Sequence, residues 1–161
     1  MLIKHKRSGR IKTLKWWCVS AMLVSFAALA HAEGPAKNYP GVPSYEVSKA
    51  YQQYKVRVRS ELSRLIYLCD RLGESDLQIK YDDYLYPANF AARVSRVFLA
   101  AHYKKEKAED WITRWASGSV LTGKPIWVKF NDGNYYIAKD LLFEELQNLD
   151  AQVKKDQAEK R

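Results

Sequence analysis

Ile126-Trp127-Val128-Lys129-Phe130 is followed by Asn131-Asp132-Gly133-Asn134 and then by Tyr135-Tyr136-Ile137-Ala138. Both flanks alternate with period two, as a half-buried strand does. An Asp-Gly step between two such runs is a strong hairpin signal. With Asp132-Gly133 as the turn, Phe130 pairs with Tyr135 and Val128 with Ile137, and this set, with Ile126, forms the core face. The opposite face then carries Trp127, Lys129, Tyr136 and Ala138.

The segments around this hairpin read mainly as helices. Upstream, Leu77-Gln78-Ile79-Lys80-Tyr81 alternates as a second strand, and Asp82-Asp83 turns it back into Tyr84-Leu85-Tyr86. Ser44 is an N-cap for a helix that runs to Gly73, with Val47, Tyr51, Tyr54, Val58, Leu62, Leu65, Cys69 and Leu72 as its apolar stripe. Pro87 suits the first position of the next helix. Phe90, Ala91, Val94, Val97, Phe98 and Ala101 make up its buried face. A shorter helix carries Ala108, Trp111, Ile112 and Trp115. Asp140 caps a last one with Leu142, Leu146, Leu149 and Val153 in line. The spacing therefore predicts an α+β fold, with about four helices packed on a small antiparallel sheet built from one or two β-hairpins. This single domain spans residues 44–153, and a charged, disordered tail of residues 154–161 follows.

Residues 1–15 hold six Lys/Arg and no acid, and residues 16–30 are almost wholly apolar. A basic stretch, an apolar run of this length and the small-x-small exit Ala30-His31-Ala32 describe a secretory signal peptide over residues 1–32. The alternative, a membrane anchor, needs roughly 20 apolar residues. No Arg-Arg pair suggests a twin-arginine route, and Cys18 lacks the small apolar residues that precede a lipidated cysteine. Residues 33–43 contain three Pro and two Gly and read as a flexible linker.

The 161 residues carry 27 Lys+Arg against 18 Asp+Glu, a formal charge of +9. Removing the six basic residues of the leader leaves 21 against 18, a net charge of +3. The basic balance thus belongs mostly to the leader, and nucleic acid is not the expected partner. Two cysteines exclude a disulfide scaffold, and no Cys/His spacing suits structural zinc, so no metal or other cofactor is expected.

Catalytic constellations are equally scarce. Gly118-Ser119-Val120-Leu121-Thr122-Gly123-Lys124 fits the spacing of a phosphate loop. Pro125 stands where Ser or Thr would hold magnesium, and the segment runs from helix to strand, the wrong order. Cys69 and His102 could form a nucleophile and base, but Cys69 lies on an apolar stripe, where burial makes a thiol inert. Asp82 and Asp83 are adjacent, and neighbours on a strand face opposite ways. No catalytic residue is assigned.

Two features suit binding instead. Trp127, Tyr136 and Lys129 on one exposed sheet face could hold a sugar ring, a peptide or a partner protein. The other reading is that a helix covers them. Ser119, Thr122 and Lys124 lie on a loop whose shape a structural turn also explains, and they form a second candidate patch.

Four short motifs resemble the YfeK-like family of small secreted bacterial envelope proteins, a domain of unknown function. They are Tyr86-Pro87, Glu109-Asp110-Trp111-Ile112, Ser119 with Thr122-Gly123-Lys124-Pro125, and Asp140-Leu141-Leu142-Phe143-Glu144-Glu145-Leu146. The first hairpin departs from the family in turning at Asp82-Asp83 rather than Asn-Gly. A His common in its second helix falls near Val94, and its hairpin Cys has no counterpart. The resemblance implies an exported protein with no established reaction.

The expectation is therefore an exported, periplasmic or secreted, non-enzymatic domain that binds an envelope protein or a cell-wall component, with no membrane span once the leader is removed. A cell-wall glycan- or peptide-binding domain, or a small hydrolase, is the alternative.

Overall fold

Each backbone N–H and C=O must find a partner when buried, and the described residues meet that demand with five helices and four strands. A computed structural model describes residues 39–160. The expected signal peptide and the first part of the linker lie outside the described residues. In order, the elements are α1 (Lys49–Val56), α2 (Glu61–Gly73), β1 (Gln78–Tyr81), β2 (Tyr84–Pro87), α3 (Ala88–His102), α4 (Ala108–Trp115), β3 (Trp127–Lys129), β4 (Tyr135–Ile137) and α5 (Ala138–Ala158). The sheet is antiparallel in the order β2-β1-β3-β4, so two hairpins meet along β1 and β3. Among the described residues no helix is long and apolar enough to cross a membrane.

The single helix expected from Ser44 to Gly73 is two. Ser48 caps α1 by accepting from the Tyr51 N–H at 3.0 Å. Ser60 and Ser63 form a reciprocal capping box that starts α2 afresh. Residues 57–60 form the break between them, and Arg57 is pinned there to Asp70 at 2.8 Å. Val47 and Val58, expected on the stripe, are consequently exposed. The last helix begins at Ala138, so Asp140 lies in its first turn, where a negative charge favours the helix dipole. That helix continues through Ala158, into the tail expected to be disordered, and Asp156 there accepts from the Tyr51 hydroxyl at 2.9 Å.

The second hairpin is offset by one residue from expectation. Lys129 pairs with Tyr135, Val128 with Tyr136 and Trp127 with Ile137. The Gly133 N–H donates to Phe130 O and the Phe130 N–H to Asn134 O, both at 2.9 Å. Asn131-Asp132-Gly133 is thus a three-residue loop, with Gly133 left-handed at φ +88°, the conformation this loop length requires. A one-residue shift exchanges the two faces of a strand. Tyr136 therefore joins Val128 on the face toward the helices, and Tyr135 joins Trp127 and Lys129 on the other.

Helix α3 is also turned relative to expectation. Ala88, Ala92 and Leu99 are buried, whereas Phe90, Val94 and Val97 are 43, 51 and 71 % exposed. Small residues bring α3 against α2: a Cβ added at Gly73 would meet Ala92 Cβ at 3.3 Å. Close approach on the alanine side leaves the larger apolar side chains outside it.

Two hydrophobic cores result. One unites the helices through Tyr51, Tyr54, Leu65, Tyr67, Ile112 and Leu149. The other joins the sheet to the first turns of α3 and α5 through Leu77, Ile79, Ala88, Val128, Phe130 and Ala138. The end of the expected linker seals the second core. Tyr39 packs on Phe130, and Gly41 O accepts from the Asp76 N–H at 2.7 Å.

Candidate functional site

Between the two cores lies an apolar cavity of about 550 Å³. The sheet contributes Ile79 and Val128, α3 contributes Phe90 and Val94, and α4 contributes Trp111 and Trp115. Its volume is within the range of small-molecule sites. Closed and empty, an apolar void of this size would cost on the order of 10 kcal/mol, as much as the whole folding free energy of a typical domain. The cavity instead opens to solvent past Phe90, Val94 and Val120, lining residues that are themselves exposed. Tyr86 stacks on Phe90 with ring centroids 5.6 Å apart and extends the apolar rim.

The loop that supplies Val120 is built from the residues expected to bind. Ser119 donates to Asp82 at 3.1 Å, and Thr122 donates to the other oxygen of the same carboxylate. Lys124 Nζ meets Asp83 at 2.9 Å. The bond from Lys124 holds the Asp83 carboxyl below the usual carboxylate range. The Ser119 N–H and O bond to Lys124 O and the Gly123 N–H, both at 2.8 Å, closing the loop on itself. A Cβ at Gly118 would lie 2.9 Å from Gly123 O, so close approach demands glycine there. Asp82 is left-handed at φ 54°, and its two oxygens fasten this loop to the β1–β2 turn. Ser119, Thr122 and Lys124 thus position the rim of the cavity.

A polar network borders the cavity where α2 faces α5. Glu145 Oε1 accepts from the Tyr45 hydroxyl at 3.0 Å, from Arg71 Nε at 3.0 Å and from the Tyr67 hydroxyl. Arg71 Nη1 reaches Glu74 at 2.9 Å, and its guanidinium lies over the Tyr45 ring. Burial, and then the charge of Glu145, drive the Tyr67 phenol far above its ordinary value, so it remains a neutral donor.

The other candidates separate. Trp127 and Lys129 are half-buried on the outer sheet face, while Tyr136 lies on the inner side with its ring 5.0 Å from Phe130. Trp127 and Tyr136 do not form one surface. Across the outer face, Leu85, Lys80, Trp127 and Ile137 instead form a row. Cys69 and His102 lie at different places. Cys69 is buried, and burial pushes its thiol up to about 12. His102 is exposed, stacked on Phe98 at 4.1 Å. A second cleft between α1, α2 and α3 contains Asp70 and Glu74. Both are already engaged, Asp70 by Arg57 and Arg96, and Glu74 by Arg71 and Ser48.

The cavity was not anticipated from the residues. One signal was present: α3 is apolar on two faces, Ala88/Ala92/Leu99 and Phe90/Val94/Val97. A helix with a broad apolar surface has more to cover than one neighbour provides.

No curated protein and no solved structure matches the chain. Residues 57–150 match a family model that spans more than half of the 161 residues and runs from the break before α2 into α5. The chain belongs to the family of unknown function DUF5329.

Proposed function

We propose that this is an exported envelope protein whose domain binds an apolar ligand in the cavity between the helical and sheet cores. The single observation that carries the reading is that cavity, apolar in its walls and open through a rim of exposed Phe90, Val94 and Val120. Exposed apolar side chains around an apolar opening lose unfavourable hydration when a ligand enters. The basic and apolar runs of residues 1–30 support export, and an exported domain would work beside envelope lipids.

The test is binding of N-phenyl-1-naphthylamine, whose fluorescence rises in apolar surroundings, to the full chain. Dye emission should rise saturably. Val94→Glu, at an exposed rim position, should weaken binding at least severalfold with the fold intact, and Ala91→Phe should fill the space and do the same. Absence of saturable binding, or indifference to both variants, would overturn the reading.

The outer sheet face offers a second reading, as a contact surface for an envelope protein. It is favoured by the row of Leu85, Trp127 and Ile137 interrupted only by Lys80. Photocrosslinking from position 85, where the side chain is exposed, would capture such a partner. Crosslinks formed equally from exposed Lys104 would reject it.

A further inference from the structure

Outside the cavity, its rim continues into a wider apolar surface. On α3, Phe90, Val94 and Val97 recur at helical spacing as an exposed stripe, and Val97 is 71 % exposed. Beside it, the loop after α4 holds Val120 and Leu121 in water at 64 and 84 % exposure. That loop is fixed: the Val120 N–H donates to the Tyr81 hydroxyl at 3.1 Å and the Leu121 N–H to Ser119 Oγ at 3.2 Å. Two apolar side chains held outside an ordered loop add nothing to the core, and such patches mark contact surfaces. Phe90, Val94 and Val120 line one opening, so the stripe and the loop tip flank the same mouth. Tyr84 and Tyr86, 6.5 Å apart, adjoin the stripe through the stack of Tyr86 on Phe90.

Charge around this surface has one sign. Residues 84–105 and 111–131 hold seven Lys/Arg and no Asp or Glu, although the chain has 18 acids. Arg93 on α3, and Lys104 and Lys105 just beyond it, make no ion pair among the described residues. The carboxylates of the adjoining turn, Asp82 and Asp83, are taken by Ser119, Thr122 and Lys124. The other exposed valines differ. Val56 and Val58 stand among Lys55 and Arg57, which are paired with Asp156 and Asp70.

An apolar stripe bordered by uncompensated cations suits the face of an anionic bilayer: apolar side chains enter the acyl boundary and Lys/Arg meet the headgroups. Tyrosines sit well at headgroup level. A second copy fits poorly, because a two-fold contact would set this basic surface against itself. We propose that this surface docks the domain on an anionic lipid bilayer, with Val97 and Leu121 inserted and Arg93 among the headgroups. The docking goes beyond the cavity reading, since it uses the outer side of the rim, and it sets the cavity mouth against the bilayer.

The experiment uses the full chain carrying Cys18→Ser. Cys69 is buried, so a nitrobenzoxadiazole label goes to one new cysteine: Val97→Cys, Leu121→Cys, or Val56→Cys as an equally exposed control. Vesicles are phosphatidylcholine alone or with phosphatidylglycerol. Any affinity of residues 1–32 for lipid brings all three labels to the vesicle alike, whereas insertion separates them. Emission should rise at positions 97 and 121 with phosphatidylglycerol, stay flat at position 56 and with phosphatidylcholine alone, and fall back in high salt. Arg93→Ala should lower the insertion constant read from position 121 about fivefold, the worth of one basic residue near such a surface. Leu121→Ser, read from position 97, should lower it about tenfold, as loss of one buried leucine does. Equal rises at all three positions, equal rises on both vesicles, or no rise overturn the proposal. A rise at 97 and 121 on concentrating the protein without vesicles assigns the surface to a second copy and also overturns it. The two readings fail separately: dye binding lost with insertion intact removes the cavity reading alone, and the reverse removes the docking alone.

Discussion

Arg71 on α2 donates through Nε to Glu145 on α5 at 3.0 Å, and both residues line the cavity that divides the two cores. The pair therefore ties α2 to α5 at the edge of the helical core that Leu65 and Leu149 share. Removing one member of a buried pair costs about 3–5 kcal/mol, because the other charge is left without compensation. Arg71→Met should lower the urea-unfolding free energy by about 3 kcal/mol. Adding Glu145→Leu should restore only part of it, since Tyr45 and Tyr67 then lose their acceptor. Full recovery in the double variant would mean that the phenols find other partners.

Acid should weaken the junction of α2 and α4 first. Glu61 accepts from the Ala108 N–H at 2.8 Å and thereby starts α4. Burial works against ionisation of Glu61, but the Ala108 N–H and Arg64 outweigh it and hold the carboxyl below its ordinary 4.5. A carboxyl depressed in the folded state contributes stability that is complete above its unfolded value and is lost as pH falls through the folded one. Stability should thus decline below about pH 4.5, with the amides at the start of α4 losing exchange protection early. Glu61→Gln should begin from a lower plateau and decline less steeply. An unchanged acid slope in that variant would remove Glu61 from the explanation.

Asp82 ties the rim loop to the first hairpin through Ser119 and Thr122. Asp82→Ala removes both acceptors and places alanine at φ 54°, a conformation that asparagine and aspartate tolerate better. The expected loss is about 1–2 kcal/mol, with amide exchange accelerated at Val120 and Leu121. Asp82→Asn, which keeps one acceptor and the backbone preference, should lose about half as much. Binding of the naphthylamine dye should follow the same order, because Val120 belongs to the rim.

Much of this arrangement was legible in the residues, and the failures have identifiable causes. Period-two alternation located β1, β3 and β4, and Asp82-Asp83 turned the chain back into β2 as expected. Asp132-Gly133 marked the second turn but not its length. The same dipeptide serves a two-residue loop and the last two places of a three-residue one, and the difference of one residue exchanges the faces. For α3, two apolar faces competed, and the alanine face won because it permits close packing on Gly73. The roles of Ser119, Thr122 and Lys124 depend on Asp82 and Asp83, about 40 positions earlier, a distance no local pattern spans. The cavity is a place where side chains fail to meet, and periodicity records only where they can.

The hairpin register can be measured directly, because it decides which aromatic ring touches the cavity wall. Tyr136 and Phe130 are 5.0 Å apart edge to face, whereas Trp127 lies on the other side of the sheet. Aromatic pairs of this geometry couple by about 0.5–1.5 kcal/mol. A double-mutant cycle of Phe130→Leu with Tyr136→Ala should therefore show a coupling near 1 kcal/mol, and one with Trp127→Ala should show none. The two-residue turn would put Tyr136 beside Trp127 on the outer face and abolish the first coupling. Because Phe130 also lines the cavity, Tyr136→Ala should weaken dye binding by about twofold to threefold, as expected when a supporting aromatic contact is lost, while Trp127→Ala leaves it unchanged. Weakening by Trp127→Ala instead would show that the outer face and the cavity communicate, and the two binding surfaces would then have to be treated as one.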